Sequence, residues 1–228
     1  MKRILFVLLA QVVFAVGHAQ TDAVTNKEVR DYIAQNATKF LTVKGIELKP
    51  NLQMKTLLSQ FLQKGWKKSE FFDLLYEKHG GYTLEGTFFN TNGCSIKVLP
   101  THNQKDIVGI VGIDFPERDT FKLLKSEYDN LKESLSEKYV VLQSIESFDD
   151  KYVDETSSDG LKLLALSEDE ATFRTYFGVS EEGTSPVLGY IVLSISHVYV
   201  NHSNSFHISV GYHTSDDVLE QLSSWDDL

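Results

Sequence analysis

The side chains best suited to chemistry collect near the end of this 228-residue chain. Six histidines lie beyond residue 19, and four of them (His197, His202, His207 and His213) fall in one stretch that reads as a β-hairpin. Histidine titrates near neutrality and is the commonest zinc ligand, so the cluster raises proton transfer and metal binding together. Alternation along a strand puts His207 and His213 on one face with Ser209 and Gly211. Phe206, Ile208, Val210 and Tyr212 take the opposite face. With the turn centred near Ser203, Tyr199 would stand opposite His207, and His197 opposite Ser209. Such a layout gives at most two neighbouring imidazoles, whereas zinc needs three or four ligands converging at about 2.0–2.3 Å. No metal and no cofactor is expected.

The remaining reactive residues are scattered. The sequence contains no His-Glu-x-x-His, no Gly-x-Ser-x-Gly and no Walker motif. Cys94 is the single cysteine, so no intramolecular disulfide can form. It sits in Asn92-Gly93-Cys94-Ser95-Ile96, a turn entering a strand, with no base beside it in sequence. That context reads as a buried structural thiol. The acid pairs Asp149-Asp150, Asp216-Asp217 and Asp226-Asp227 suggest glycosidase or calcium chemistry, but adjacent residues on a strand point to opposite faces. The oxygen-rich loop 149–159 lacks EF-hand spacing and its central glycine. No catalytic residue is assigned.

The aromatic residues carry more information. Tyr82, Phe88, Tyr176, Tyr190, Tyr199 and Tyr212 all fall on expected strands. A sheet covered by helices on one side leaves its other side open, and aromatics there form a platform for a protein, peptide or glycan. The candidate ligand-binding residues are Tyr190, Tyr199, His207, Tyr212 and His213.

The elements that position these residues are organised around residues 107–139. Asp106 to Phe115 reads DIVGIVGIDF, apolar on both faces and closed by Pro116, as a central strand does. Gly109 and Gly112 lie inside this strand, whereas a dinucleotide fingerprint needs its glycines in the turn that opens a helix. Phe121, Leu124, Tyr128, Leu131 and Leu135 then recur at three- and four-residue steps, which predicts an amphipathic helix with Asp119 as its N-cap. Upstream, Phe40 to Leu48 reads as a short strand. A helix with Asn51 as N-cap follows, its stripe running from Met54 to Leu62 and its stop at Gly65. Strands and turns alternate from Tyr82 to Pro100. Beyond the central helix, strands are expected at Val141–Phe148, Leu161–Ser167, Thr172–Val179, Leu188–Val200 and Phe206–His213.

Each half therefore runs from a helix into a meander of strands. The fold expected is α+β: a curved antiparallel sheet with two main helices on one face, arranged as a degenerate tandem repeat over about 40–116 and 117–213. Residues 20–39 read as a polar arm with a short helix near Lys27–Ala34, and 214–228 as a tail. The single domain spans 40–228.

Residues 1–19 read as a secretory leader. Met1-Lys2-Arg3 is basic, Ile4 to Val16 is apolar, and Gly17-His18-Ala19 supplies small residues for cleavage ahead of Gln20. The expectation is export to the periplasm or beyond the cell, without lipid anchoring or membrane insertion after cleavage. Removing Lys2 and Arg3 leaves 20 basic residues against 32 acidic ones, a net charge of −12. Such a surface repels phosphate backbones and anionic lipid, so nucleic acid is not an expected partner.

Several segments together resemble a group of secreted Bacteroidetes proteins of uncharacterised function: KGIEL, FLQKGW, LEGTFFNTNGCSIKVLP, IDFPERDTFKLLKSEYDNLKESLSEKY and the closing WDDL. The likeness covers about Phe40 to Leu228. That group ends its long helix in Lys-Tyr-Gly before a proline, whereas here Tyr139 is followed by Val140. The two-part layout also resembles the tandem helix–sheet repeat of β-lactamase-inhibitor-like proteins. These resemblances imply export and fold and supply no catalytic residues. The function expected is non-enzymatic binding through the open sheet face and its loops. The alternatives are a hydrolase with a site dispersed over loops and a structural envelope-associated protein docking through Trp225-Asp226-Asp227-Leu228.

Overall fold

The computed structural model describes residues 26–37, 39–69, 78–149, 153–179, 188–200 and 203–224. The leader-like residues 1–19, His202 and the closing Trp225–Leu228 lie outside them. In chain order, α1 (Asn26–Asn36) leads into a two-stranded hairpin of β1 (Thr42–Val43) and β2 (Ile46–Glu47). Helix α2 (Met54–Gln63) follows, then β3 (Lys67–Lys68), β4 (Tyr82–Phe88), β5 (Thr91–Pro100) and β6 (Val108–Asp114). The second half comprises α3 (Phe121–Ser136), β7 (Val140–Phe148), α4 (Asp159–Ser167), β8 (Ala171–Gly178), β9 (Tyr190–Val200) and β10 (Ser203–His213). Helix α5 (Ser215–Ser224) closes the described chain.

The fold is α+β. Strands β3 to β10 form one open eight-stranded antiparallel sheet in the order β3-β4-β5-β6-β10-β9-β8-β7. Each half contributes a helix followed by four strands, laid side by side from an edge inward. The last strands of the two halves, β6 and β10, meet at the centre with Gly211 opposite Gly112. The strand expected to be central is therefore half of the joint.

The helices sit where the apolar stripes send them. Phe121, Leu124, Tyr128, Leu131 and Leu135 of α3 are all buried, each apolar one contributing about 1.5–3 kcal/mol of transfer free energy. They share a core with Ile96 and Val98 of β5, Val111 and Ile113 of β6, Ile208 and Val210 of β10, and Leu193 of β9. Helix α2 adds Met54, Leu57 and Phe61 to that core, and α4 adds Ala165 and Leu166. Trp66 packs edge-on to Phe61 and lies under Gly86, where a Cβ would come within 2.6 Å of the indole. Gly65, at φ +87°, supplies the expected stop after α2.

Several boundaries differ from the sequence reading. Thr120, not Asp119, caps α3, its hydroxyl accepting from the Leu123 N–H at 3.3 Å. Asn51 is not a cap: it takes φ +62°, and α2 begins at Met54 after Gln53. Phe40 to Leu48 holds a hairpin, turned by Lys44 and Gly45 at positive φ, rather than one strand. Leu161–Ser167, expected as a strand, is α4. Ser158 caps it, Asp159 occupies its first turn, and its Leu, Lys and Ala residues are good helix formers without β-branching. The segment read as a tail forms α5, with Leu219 packed on Val29 and Ile33 of α1. The Asn26–Asn36 part of the polar arm is thus a docked helix.

Candidate functional site

Alternation along the strands leaves one side of the sheet without α2, α3 or α4. On that side a row crosses five strands in register: Ser95 of β5, Asp114 of β6, Ser209 of β10, Ser194 of β9 and Arg174 of β8. Asp114 is its hub. Its carboxylate takes the Lys97 ammonium at 2.5 Å and the Ser209 hydroxyl at 2.8 Å. His207 Nε2 stands 3.7 Å from the same carboxylate, beyond good hydrogen-bond range. Beside this hub the Ser194 and Ser196 hydroxyls are 3.1 Å apart.

A serine, a histidine and an aspartate here invite comparison with a nucleophilic triad, and the connectivity is wrong for one. A triad needs serine on histidine and histidine on aspartate. Ser209 instead donates directly to Asp114, a weakly basic carboxylate already paired with Lys97, and among the described residues no imidazole hydrogen-bonds to the serine. Burial is the largest influence on His207 and pushes its imidazole below the usual range, against the upward pull of Asp114 and Glu117.

About 13 Å along β10 from Ser209 lies a second group. The His213 imidazole stacks on the Tyr190 ring, centroids 4.4 Å apart and planes 8° apart. Tyr176 lies next to Tyr190 at 6.4 Å. Helix α5 closes the end of this group: Asp217 Oδ2 meets His213 Nδ1 at 2.8 Å and accepts from Gln221 Nε2 at 2.8 Å. Burial, then the Asp217 charge, pushes the Tyr190 phenol up. At the β8 end of the first row, Arg174 is exposed and its guanidinium has no partner among the described residues.

Of the five candidate residues, Tyr190, His207 and His213 belong to this uncovered face. Tyr212 points the other way, into the core on the helix side, and is 1 % exposed. Tyr199, 65 % exposed, stands near the end of the β9–β10 hairpin, away from the others. The hairpin register also differs from the expectation of a turn near Ser203. β9 ends at Val200 and β10 begins at Ser203, so His207 faces Ser196, His197 faces Phe206 and Tyr199 faces Asn204. His197 consequently shares the helix side of the sheet with Phe206.

Asp114, Lys97 and Arg174 were not singled out from sequence. The pattern at 171–177 could have flagged the last: Ala171, Phe173, Thr175 and Phe177 are buried, leaving Thr172, Arg174 and Tyr176 on the outward face. Cys94 is fully buried with its thiol 3.2 Å from the Thr91 carbonyl, and burial pushes its pKa up, away from the reactive thiolate. Among the described residues, no three His, Cys, Asp or Glu side chains converge on a metal position. Among them too, no helix is long and apolar enough to cross a membrane. Comparison of the chain with protein-family models, with curated proteins and with solved structures gives no match.

Proposed function

We propose that this protein is an exported binding protein that holds an extended peptide or glycan against the uncovered face of its sheet and performs no turnover. The observation that carries the reading is the pairing of Arg174, exposed and unpartnered among the described residues, with Tyr176 two positions along the same face. An arginine fork offers five donors in fixed geometry, and a neighbouring ring offers a flat surface for a sugar or a proline. The Ser194 and Ser196 hydroxyls add donors and acceptors alongside. The wiring of Ser209 to Asp114, with no imidazole bonded to the serine among the described residues, speaks for recognition over catalysis. Export rests on the basic, apolar and small-residue succession of residues 1–19.

The experiment is an array of peptides and glycans probed with the purified chain, followed by titration of each hit. A saturable hit should weaken about tenfold or more in R174A/Y176A, since a charged hydrogen bond and a ring contact are lost together. Binding unchanged in that variant would move the site off this face. Hydrolysis of any array component, lost in S209A, would overturn the non-enzymatic reading.

A further inference from the structure

On the opposite side of the sheet, a cavity of about 610 Å³ opens between the β1–β2 hairpin and the end of α3. We infer that it is a binding site for an amphipathic organic anion, a carboxylate carried on an apolar body. This inference is independent of the sheet-face reading.

Three observations lead there. Buried Phe88, Leu135 and Val179, with half-buried Phe40 and Phe89, make the walls apolar. The volume suits a small organic ligand, whose pockets run about 300–1,000 Å³. The exposed lining residues include Lys39, Lys44 and Lys138, and none of these ammonium groups has a carboxylate partner among the described residues. Lys64 extends the cationic zone, its Nζ lying 3.8 Å from where a Cβ on Gly45 would stand. Glu47, the one acidic lining residue among the described residues, already pairs with Lys49 at 2.9 Å. A chain of net charge −10 has thus gathered lysines around one apolar opening.

The third observation is inside. Tyr212 lines the cavity, is almost wholly buried, and its hydroxyl has no hydrogen-bond partner among the described residues. That hydroxyl is a donor available to a ligand oxygen at the cavity wall. Its neighbour Tyr139 is already engaged, accepting from the Thr42 N–H at 3.0 Å and donating to the Thr42 carbonyl at 3.1 Å. Those two bonds fasten the hairpin over the cavity. The carbonyls at the end of α3 do not confront an anion freely, because Leu135 O already accepts from the Lys138 and Tyr139 N–H groups. The site therefore has apolar walls, a cationic mouth and one donor held in its wall.

Calorimetric titration with dodecanoate below its micelle concentration tests the inference on the purified chain. Saturable one-to-one binding is expected, with dodecyltrimethylammonium failing to compete. K39Q/K44Q/K138Q should weaken dodecanoate about tenfold or more, while K67Q/K68Q/K105Q, the same charge change elsewhere, should not. Y212F should weaken it about threefold to tenfold without altering the circular dichroism. Absence of binding, equal binding of the cationic amphiphile, or equal losses in the two triple variants would each overturn the inference. None of these results bears on Arg174 and Tyr176, which lie on the other face.

Discussion

Arg30 and Asp216 form a buried ion pair, Nε to Oδ1 at 2.7 Å, with the two side chains 4 % and 0 % exposed. The pair joins α1 to α5, elements far apart in the chain. Asp216 Oδ2 also accepts the Asn51 N–H at 2.8 Å, and Glu220, 3.9 Å from the same guanidinium, accepts the Asn103 N–H. Burial pushes the Asp216 carboxyl up, and the Asn51 N–H and Arg30 only partly offset it. Arg30 is therefore the close counter-cation of the enclosed Asp216 carboxylate and lies near Glu220 as well.

Removing that cation should be more harmful than removing the pair. R30M leaves the buried Asp216 carboxylate without its counter-cation in low dielectric, and breaking a buried pair in this way costs about 3–5 kcal/mol. R30M/D216N keeps an acceptor for the Asn51 N–H while deleting one stranded charge, so it should recover part of the loss. Urea unfolding of both variants measures the difference. A loss under about 1 kcal/mol in R30M would show that water already reaches the pair.

Gly86 is fixed by its neighbour rather than by its dihedral angles. The Trp66 ring lies where its side chain would be, with three ring atoms within 3.0 Å of an added Cβ. G86A forces the indole off Phe61 and should destabilise by about 1–3 kcal/mol, the usual range for overpacking. Adding W66L to G86A should cost less than the two changes measured singly, because the clash is then gone. Additive effects would mean that Trp66 and Gly86 are not coupled.

His207 gives the fold a dependence on pH. Its folded pKa lies below the unfolded value of about 6.5, chiefly through burial. Between those two values the unfolded chain binds more protons, so stability is full above about pH 6.5 and falls as pH drops toward the folded pKa. Melting temperature followed from pH 7.5 to 5 should fall less steeply in H207N than in the unaltered chain. Identical slopes would assign the acid sensitivity to other groups.

The alternation and the three- and four-residue steps were legible wherever one face alone is buried. Helix α3 and the strand faces of His207 and His213 came through for that reason. Leu161–Ser167 misled because α4 leaves Leu161 and Leu164 exposed, so its apolar run lacks a clean helical stripe. Helix α5 was signalled by Thr214, whose hydroxyl accepts from the Asp217 N–H, and by two aspartates in its first turn. The cavity and the Arg30–Asp216 pair were beyond reach. Both are assembled from residues distant in sequence, and no spacing rule connects Lys39 with Lys138, or Arg30 with Asp216.

Tyr128 and Thr175 offer a sharper test of how α3 is seated on β8. The phenol and the threonine hydroxyl are 2.7 Å apart in the core, and Thr175 also meets Ser144 at 2.9 Å. Burial pushes the Tyr128 phenol up to about 12, so it stays protonated across the physiological range. Y128F deletes one partner but leaves Thr175 bonded to Ser144, and should cost about 1 kcal/mol. T175V keeps the shape and deletes the bridge, leaving the enclosed Tyr128 hydroxyl without this partner at a cost of about 1–3 kcal/mol. The order T175V worse than Y128F is the expected result in urea unfolding, and Y128F/T175V should be milder than T175V alone because no hydroxyl is then stranded. The reverse order would mean that the phenol finds another acceptor once Thr175 is gone.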